Sequence, residues 1–185
     1  EKTRAFYAFL KVDDFQFRLF RNSAKVSSTL PYKADYAILD ESVALDQSVT
    51  VLGAQYTKDA GNVTLSTHFT GSRYDLDPNS NFRNAFTNFE VGYKYAESTA
   101  FKAEQQITWV PRKDWTIVGG ASYEVLQASP WSTDLESPVD TSGAIHGLIR
   151  GLPKDQNGNA LTADFFPLKY SNTGAYLQGQ FGFSE

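Results

Sequence analysis

Apolar and polar side chains alternate one by one along much of the chain. Before the stretch Pro111–Asp114, Phe101, Ala103, Ile107 and Trp109 alternate with Lys102, Glu104, Gln106 and Thr108, and Gln105 breaks the apolar set. After it, Trp115, Ile117, Gly119, Ala121, Tyr123 and Val125 alternate with a set that includes Thr116, Gly120, Ser122 and Glu124. Asn62–Gly71 repeats the pattern, with Val63, Leu65 and Phe69 against Asn62, Thr64, Ser66, His68 and Thr70. Asp14–Arg21 does so again, with Phe15, Phe17 and Leu19 against Gln16 and Arg18. Thr3–Lys11, Gln47–Lys58, Phe86–Tyr95 and Asn172–Phe183 are weaker segments of the same kind. A period of two is the signature of a strand with two unlike faces. A helix would need apolar residues three and four apart, and none of these segments has that spacing. The chain is expected to be all-β.

The connections add a second pattern. Val12–Asp13, Asp59–Gly61 and Pro111–Asp114 are short; Asn22–Asp46, Arg73–Thr99 and Gln127–Ser171 are long; the two kinds alternate along the chain. Nothing in a soluble sandwich requires every second loop to be long. A transmembrane β-barrel does require two unlike ends, with tight periplasmic turns and extended extracellular loops. Segments of about ten residues also suit tilted strands crossing hydrocarbon. Phe86–Tyr95 as a separate crossing would invert every later turn, so it is expected to extend the next strand or to form a hairpin above the membrane. Trp109 and Trp115, flanking the Pro111–Asp114 turn, are placed to anchor a periplasmic interface.

Composition agrees with this reading without deciding it. Aromatic residues make up 15% of the 185, which favours strands and interfaces, and there is no cysteine to form a disulfide. The net charge of −4 is modest and Lys and Arg are scattered, so no nucleic-acid partner is expected. No apolar run is long enough for a membrane helix. A mean hydropathy of −0.39 is compatible with a barrel, because only alternate residues face lipid.

Catalytic and metal chemistry find little support. His68 falls on the polar side of its strand beside Ser66 and Thr70, and His146 lies in a long link near Arg150. Neither has a partner at metal-ligand spacing. Asp75, Asp77 and Asn79 lack the remaining ligands and the glycine of a calcium loop. No nucleophile elbow, phosphate loop or dinucleotide fingerprint is present, and Gly119-Gly120 reads as relief of crowding in a barrel wall. Alternation directs Arg18, His68, Lys102, Glu104 and Glu124 to the lumen, where a hydrated ionic lining is expected. No enzyme activity, no cofactor and no metal site is expected.

Tyr7–Arg21 (YAFLKVDDFQFRLFR), Leu30-Pro31-Tyr32 in a long loop, and Arg73-Tyr74-Asp75 at a strand end together resemble the barrel of TonB-dependent outer-membrane receptors. So do Phe101–Tyr123 (FKAEQQITWVPRKDWTIVGGASY) and Asn172–Gln178 (NTGAYLQ). The resemblance covers most of the chain. It implies a receptor in the bacterial outer membrane for energy-coupled uptake of a scarce nutrient, such as a siderophore, another metal chelate or a cobalamin-sized molecule. It implies three partners: that ligand, outer-membrane lipid, and a periplasmic energy-coupling protein. Ligand contact would fall to the long loops, where Tyr32, Tyr36, Trp131, Arg150 and Tyr170 are the first candidates, since aromatics and Arg dominate recognition surfaces. The family's plug domain and coupling motif are not found, and its barrels have about 22 strands. Residues 1–185 are therefore expected to form one partial barrel domain of roughly seven or eight strands, since an open sheet would leave unpaired edges in lipid. The alternatives are a passive porin or a small closed structural barrel.

Overall fold

The structure, a computed structural model, describes residues 2–27, 42–83, 88–129, 134–140, 156–159 and 167–182, and the backbone of 146–148 and 162–164. The strands in chain order are β1 (Lys2–Val12), β2 (Phe15–Ser27), β3 (Ala44–Ala60), β4 (Val63–Leu76), β5 (Asn81–Phe82) and β6 (Gly92–Tyr93). They continue with β7 (Ala96–Arg112), β8 (Trp115–Ala128), β9 (His146–Leu148), β10 (Thr162–Asp164) and β11 (Leu168–Phe181). No helix occurs among the described residues.

Seven long strands form one antiparallel sheet in the order β1-β2-β3-β4-β7-β8-β11, each beside the long strand that precedes it in the chain. The strand ladder turns the alternation of short and long links into a spatial division. Asp13–Asp14, Gly61–Asn62 and Lys113–Asp114 close the hairpins at one end. The long links all leave from the other. Asp13 (φ 51°) and Gly61 (φ 69°) supply the positive dihedrals that the first two turns need. β1 and β11 are the outer strands, and no ladder joins them.

The strands run further into the long links than alternation predicted. β2 continues to Ser27, β4 to Leu76 and β8 to Ala128, while β7 begins at Ala96 and β11 at Leu168. At that end both faces carry polar residues, so periodicity fades while the backbone ladder continues. Tyr170, expected in a loop, lies inside β11 opposite Leu126. Pro111 and Arg112, expected in the turn, belong to β7 beyond a register shift between Trp109 and Arg112. A bulge past the end of β4 tolerates a residue with no N–H to give. Of the two expectations for Phe86–Tyr95, the hairpin is the closer, as β6 pairs with β5; residues 84–87 lie outside the described residues.

The register gives the sheet two unlike faces. One carries Phe6, Ala8, Leu10 and Val12 of β1, Phe15, Phe17 and Leu19 of β2, and Leu52, Ala54 and Tyr56 of β3. It continues through Val63, Leu65 and Phe69 of β4, Phe101, Ala103, Ile107 and Trp109 of β7, and Ile117, Ala121, Tyr123 and Val125 of β8. This apolar belt stops on four inner strands at one cross-strand row, Arg21–Thr50–Arg73–Thr99. Towards the turns it ends in aromatic rings. Phe15 and Tyr56 are 4.7 Å apart, and Trp115 meets Phe181 edge-on at 5.1 Å.

The belt is not covered by any second layer among the described elements; contacts follow the ladder, with β5 touching β3. Leu10, Leu52 and Phe101 are 57%, 56% and 47% exposed. Buried apolar residues among those described are instead confined to the long-link end: Val43, Leu76, Tyr95, Leu135 and Val139.

Gln105, the break in the apolar alternation, is resolved by a neighbour. It lies on the belt face opposite Thr67, whose hydroxyl donates to Gln105 Oε1 at 2.7 Å, while Gln105 Nε2 donates to the Ser66 carbonyl at 2.9 Å. The polar pair satisfies itself within apolar surroundings. Thr67→Val is expected to leave the Gln105 carbonyl without its donor, at a cost of about 1–3 kcal/mol in denaturant unfolding. Adding Gln105→Leu to it should recover most of the loss.

Candidate functional site

The second face carries the polar set, and all five residues expected to share a face do so. Two adjacent cross-strand rows hold them. In one, Gln16, Gln55, His68, Glu104 and Ser122 lie side by side; in the other, Arg18, Gly53, Thr70, Lys102, Glu124 and Asn172 do. His68 is thus directly opposite Glu104, and Lys102 directly opposite Glu124. Lys102 Nζ reaches Glu104 Oε2 at 2.8 Å. These four residues form one cluster in which a single ammonium stands between two carboxylates. Arg18 stands apart, three strand spacings away at about 14 Å. Its guanidinium lies 5.9 Å from the centre of the Phe9 ring and 3.4 Å from Gln16 Oε1.

Alternation alone missed the partners that order this face. Tyr176 of β11 lies opposite Gly120, which lies opposite Gln106. The Tyr176 ring crosses the glycine, and its hydroxyl donates to Gln106 Oε1 at 2.8 Å. Gln106 in turn donates to Thr108 Oγ1 at 3.4 Å. The signal in the sequence was a glycine on the polar side of an otherwise filled strand. The face is not uniformly polar, for Tyr7, Phe9, Phe20 and Val51 also point this way by register.

At the long-link end, described pieces of the links assemble into a small rim. The Ser80 hydroxyl accepts from the Asp46 N–H at 3.0 Å and donates to its carbonyl at 3.2 Å. Tyr93 and Leu135 exchange backbone hydrogen bonds of 2.8 and 3.0 Å, which tie the link before β7 to the one after β8. Tyr95, Leu135 and Val139 form the apolar core beneath, and Tyr93 packs on it. Burial, reinforced by the hydrogen bond from its hydroxyl to Glu97 Oε2 at 2.9 Å, pushes the Tyr95 phenol up to about 12. The fold thus favours the neutral phenol. Its contribution is complete below the ordinary phenol pKa of about 10 and is lost as pH rises through about 12. Titration of phenolate absorbance should find a late-ionising group that Tyr95→Phe removes, together with part of the alkaline destabilisation.

The carboxylates discounted as a calcium site are already engaged. Asp75 takes a forked contact from Arg73 at 2.8 and 2.9 Å, and Asp77 Oδ1 accepts from the Asn79 backbone at 2.8 Å. Among the described residues no group of His, Asp and Glu is placed to hold a metal. Of the expected ligand contacts, Tyr32, Tyr36, Trp131 and Arg150 lie outside the described residues. Tyr170 is in β11, exposed, and points to the polar face by register. His146 begins β9, opposite Asp164. Comparison with protein-family models, with characterised proteins and with solved structures gives no match.

Proposed function

We propose that this sheet is part of the wall of a transmembrane β-barrel in the bacterial outer membrane, belonging to a receptor of the TonB-dependent kind. The observation that carries the reading is the belt: an uncovered apolar face, edged by aromatics towards the turns and ending at one row of Arg and Thr towards the long links. A soluble protein rarely leaves so extended an apolar surface in water. In a bilayer the same surface faces lipid, the polar face lines the lumen, and the barrel closes through further pairing at β1 and β11. The tight turns are then periplasmic and the rim extracellular.

In this reading the receptor takes up a scarce nutrient such as a siderophore, another metal chelate or a cobalamin-sized molecule, using energy delivered by a periplasmic coupling protein. The long links gather the ligand. The ionic cluster around Lys102 and Glu104 lines its path or holds a plug, and no catalytic step is involved. The polar face, uncovered among the described elements, also favours a second reading as a passive porin. Uptake of a labelled iron chelate by cells carrying the gene separates the two. A receptor loses uptake when the inner-membrane proton gradient is dissipated, while a porin keeps it. Uptake that persists with an uncoupler sinks the receptor reading.

A further inference from the structure

We propose that the belt face of β1 and β2 holds an anionic, phosphate-bearing lipid, its headgroup on Lys2, Arg4, Arg21 and Lys25 and its acyl chain in a groove below them. The inference rests on the membrane reading and assigns a specific lipid position to it. Lys2 lies directly opposite Lys25, and Arg4 and Arg21 are diagonal neighbours across the same ladder. All four are exposed. Directly opposed like charges destabilise a ladder, and among the described residues none of the four makes an ion pair. Nearby acids offset them only in part: Asp46 lies opposite Lys25, Asp46 and Asp77 line grooves with Arg21 and Lys25, and Asp75 and Glu97 are engaged by Arg73 at 2.8 and 3.2 Å. Cross-strand spacings of about 5 Å and diagonals of about 7–8 Å let these long side chains converge on one phosphate.

The second observation is independent of charge. A groove of about 460 Å³ opens in the belt face, with Leu10, Leu19, Leu52 and Phe101 among its walls and Gly71 in its floor. A Cβ added at Gly71 would meet nothing within 4 Å, so the floor is open. Leu19 and Arg21 are successive residues on this face, so the groove begins one step below the cations. Charges guarding an edge strand against pairing would account for Lys2 and Arg4. They do not account for Arg21 and Lys25 on an inner strand, or for the groove beneath.

The test reconstitutes the protein into bilayers of phosphatidylcholine containing a minor fraction of phosphatidylglycerol, then extracts it gently and measures the retained lipid by native mass spectrometry. The wild type should retain phosphatidylglycerol over phosphatidylcholine by about tenfold relative to the bulk mixture. Arg4→Gln/Arg21→Gln/Lys25→Gln should abolish that preference. Gly71→Leu, whose Cβ would meet no neighbour within 4 Å, should weaken retention with the charges intact, and Lys113→Gln at the opposite end should change nothing. Equal retention of the two lipids, or a preference surviving the triple variant, overturns the site. Complete displacement by millimolar inorganic phosphate identifies a free-anion site and overturns the lipid assignment. Failure of the closed barrel, with the strands that pair with β1 and β11, to enter the bilayer overturns the membrane reading, and this site with it.

Discussion

Phe69→Arg is expected to block stable insertion into a bilayer, whereas Ser72→Arg, three residues along the same strand, is tolerated. Phe69 lies on the belt face between Ala54 and Ala103, one step turnward of Gly71, and its ring stacks 6.3 Å from that of Phe101. Ser72 points to the polar face between Val51 and Ala100. An arginine facing lipid near mid-membrane costs about 2–4 kcal/mol, while one facing a wet lumen costs little. Folding into vesicles, followed by the heat-dependent shift of the band on a denaturing gel, reads the difference. If the two variants fold equally well, the belt does not face lipid. If Ser72→Arg is the damaging one, the two faces have been assigned the wrong way round.

The second large effect is expected at Gly120→Val. A Cβ there would stand 2.6 Å from the Tyr176 hydroxyl and ring, too close for either to remain. The ring crosses the glycine because only there can a side chain from β11 reach Gln106, two strands away. The ring tip is half-exposed and can swing aside, so the main cost is the loss of the tyrosine hydrogen bond, about 1 kcal/mol. Denaturant unfolding of Gly120→Ala, Tyr176→Ala and the double variant should give a coupling of about 0.5–3 kcal/mol, with the double variant less damaged than the sum of the singles. Additive effects would mean that the ring does not depend on the glycine.

Much of this arrangement was legible from residue spacing. The side on which His68, Lys102, Glu104, Glu124 and Arg18 project depends only on parity within a strand, and one strand suffices to read it. The first two tight turns, expected at Val12–Asp13 and Asp59–Gly61, were legible to within a residue or two of the observed Asp13–Asp14 and Gly61–Asn62, because alternation breaks where the chain reverses. Tyr170 was misplaced because at this end of β11 the alternation inverts, with Leu168 and Tyr170 on the face that turns polar at Asn172, while the backbone ladder to β8 continues. The rim was illegible for a related reason. Ser80 bridges to Asp46, and Tyr93 pairs with Leu135, across long separations that no local pattern marks.

The sequence by itself determined that the chain forms strands with one apolar and one polar side, joined by alternating short and long links. Those properties follow from the two-residue period of a pleated backbone and from local turn chemistry. Only the tertiary structure decided the register, and register decides everything that lies between strands. It sets His68 against Glu104 and Lys102 against Glu124, lays Tyr176 across Gly120, hides the Gln105 amide against Thr67, and ends the belt at one row. The same register gathers Lys2, Arg4, Arg21 and Lys25 into one corner although they are far apart in the chain. Side-chain parity is fixed within a strand, but the residue that faces it is chosen by how whole strands align.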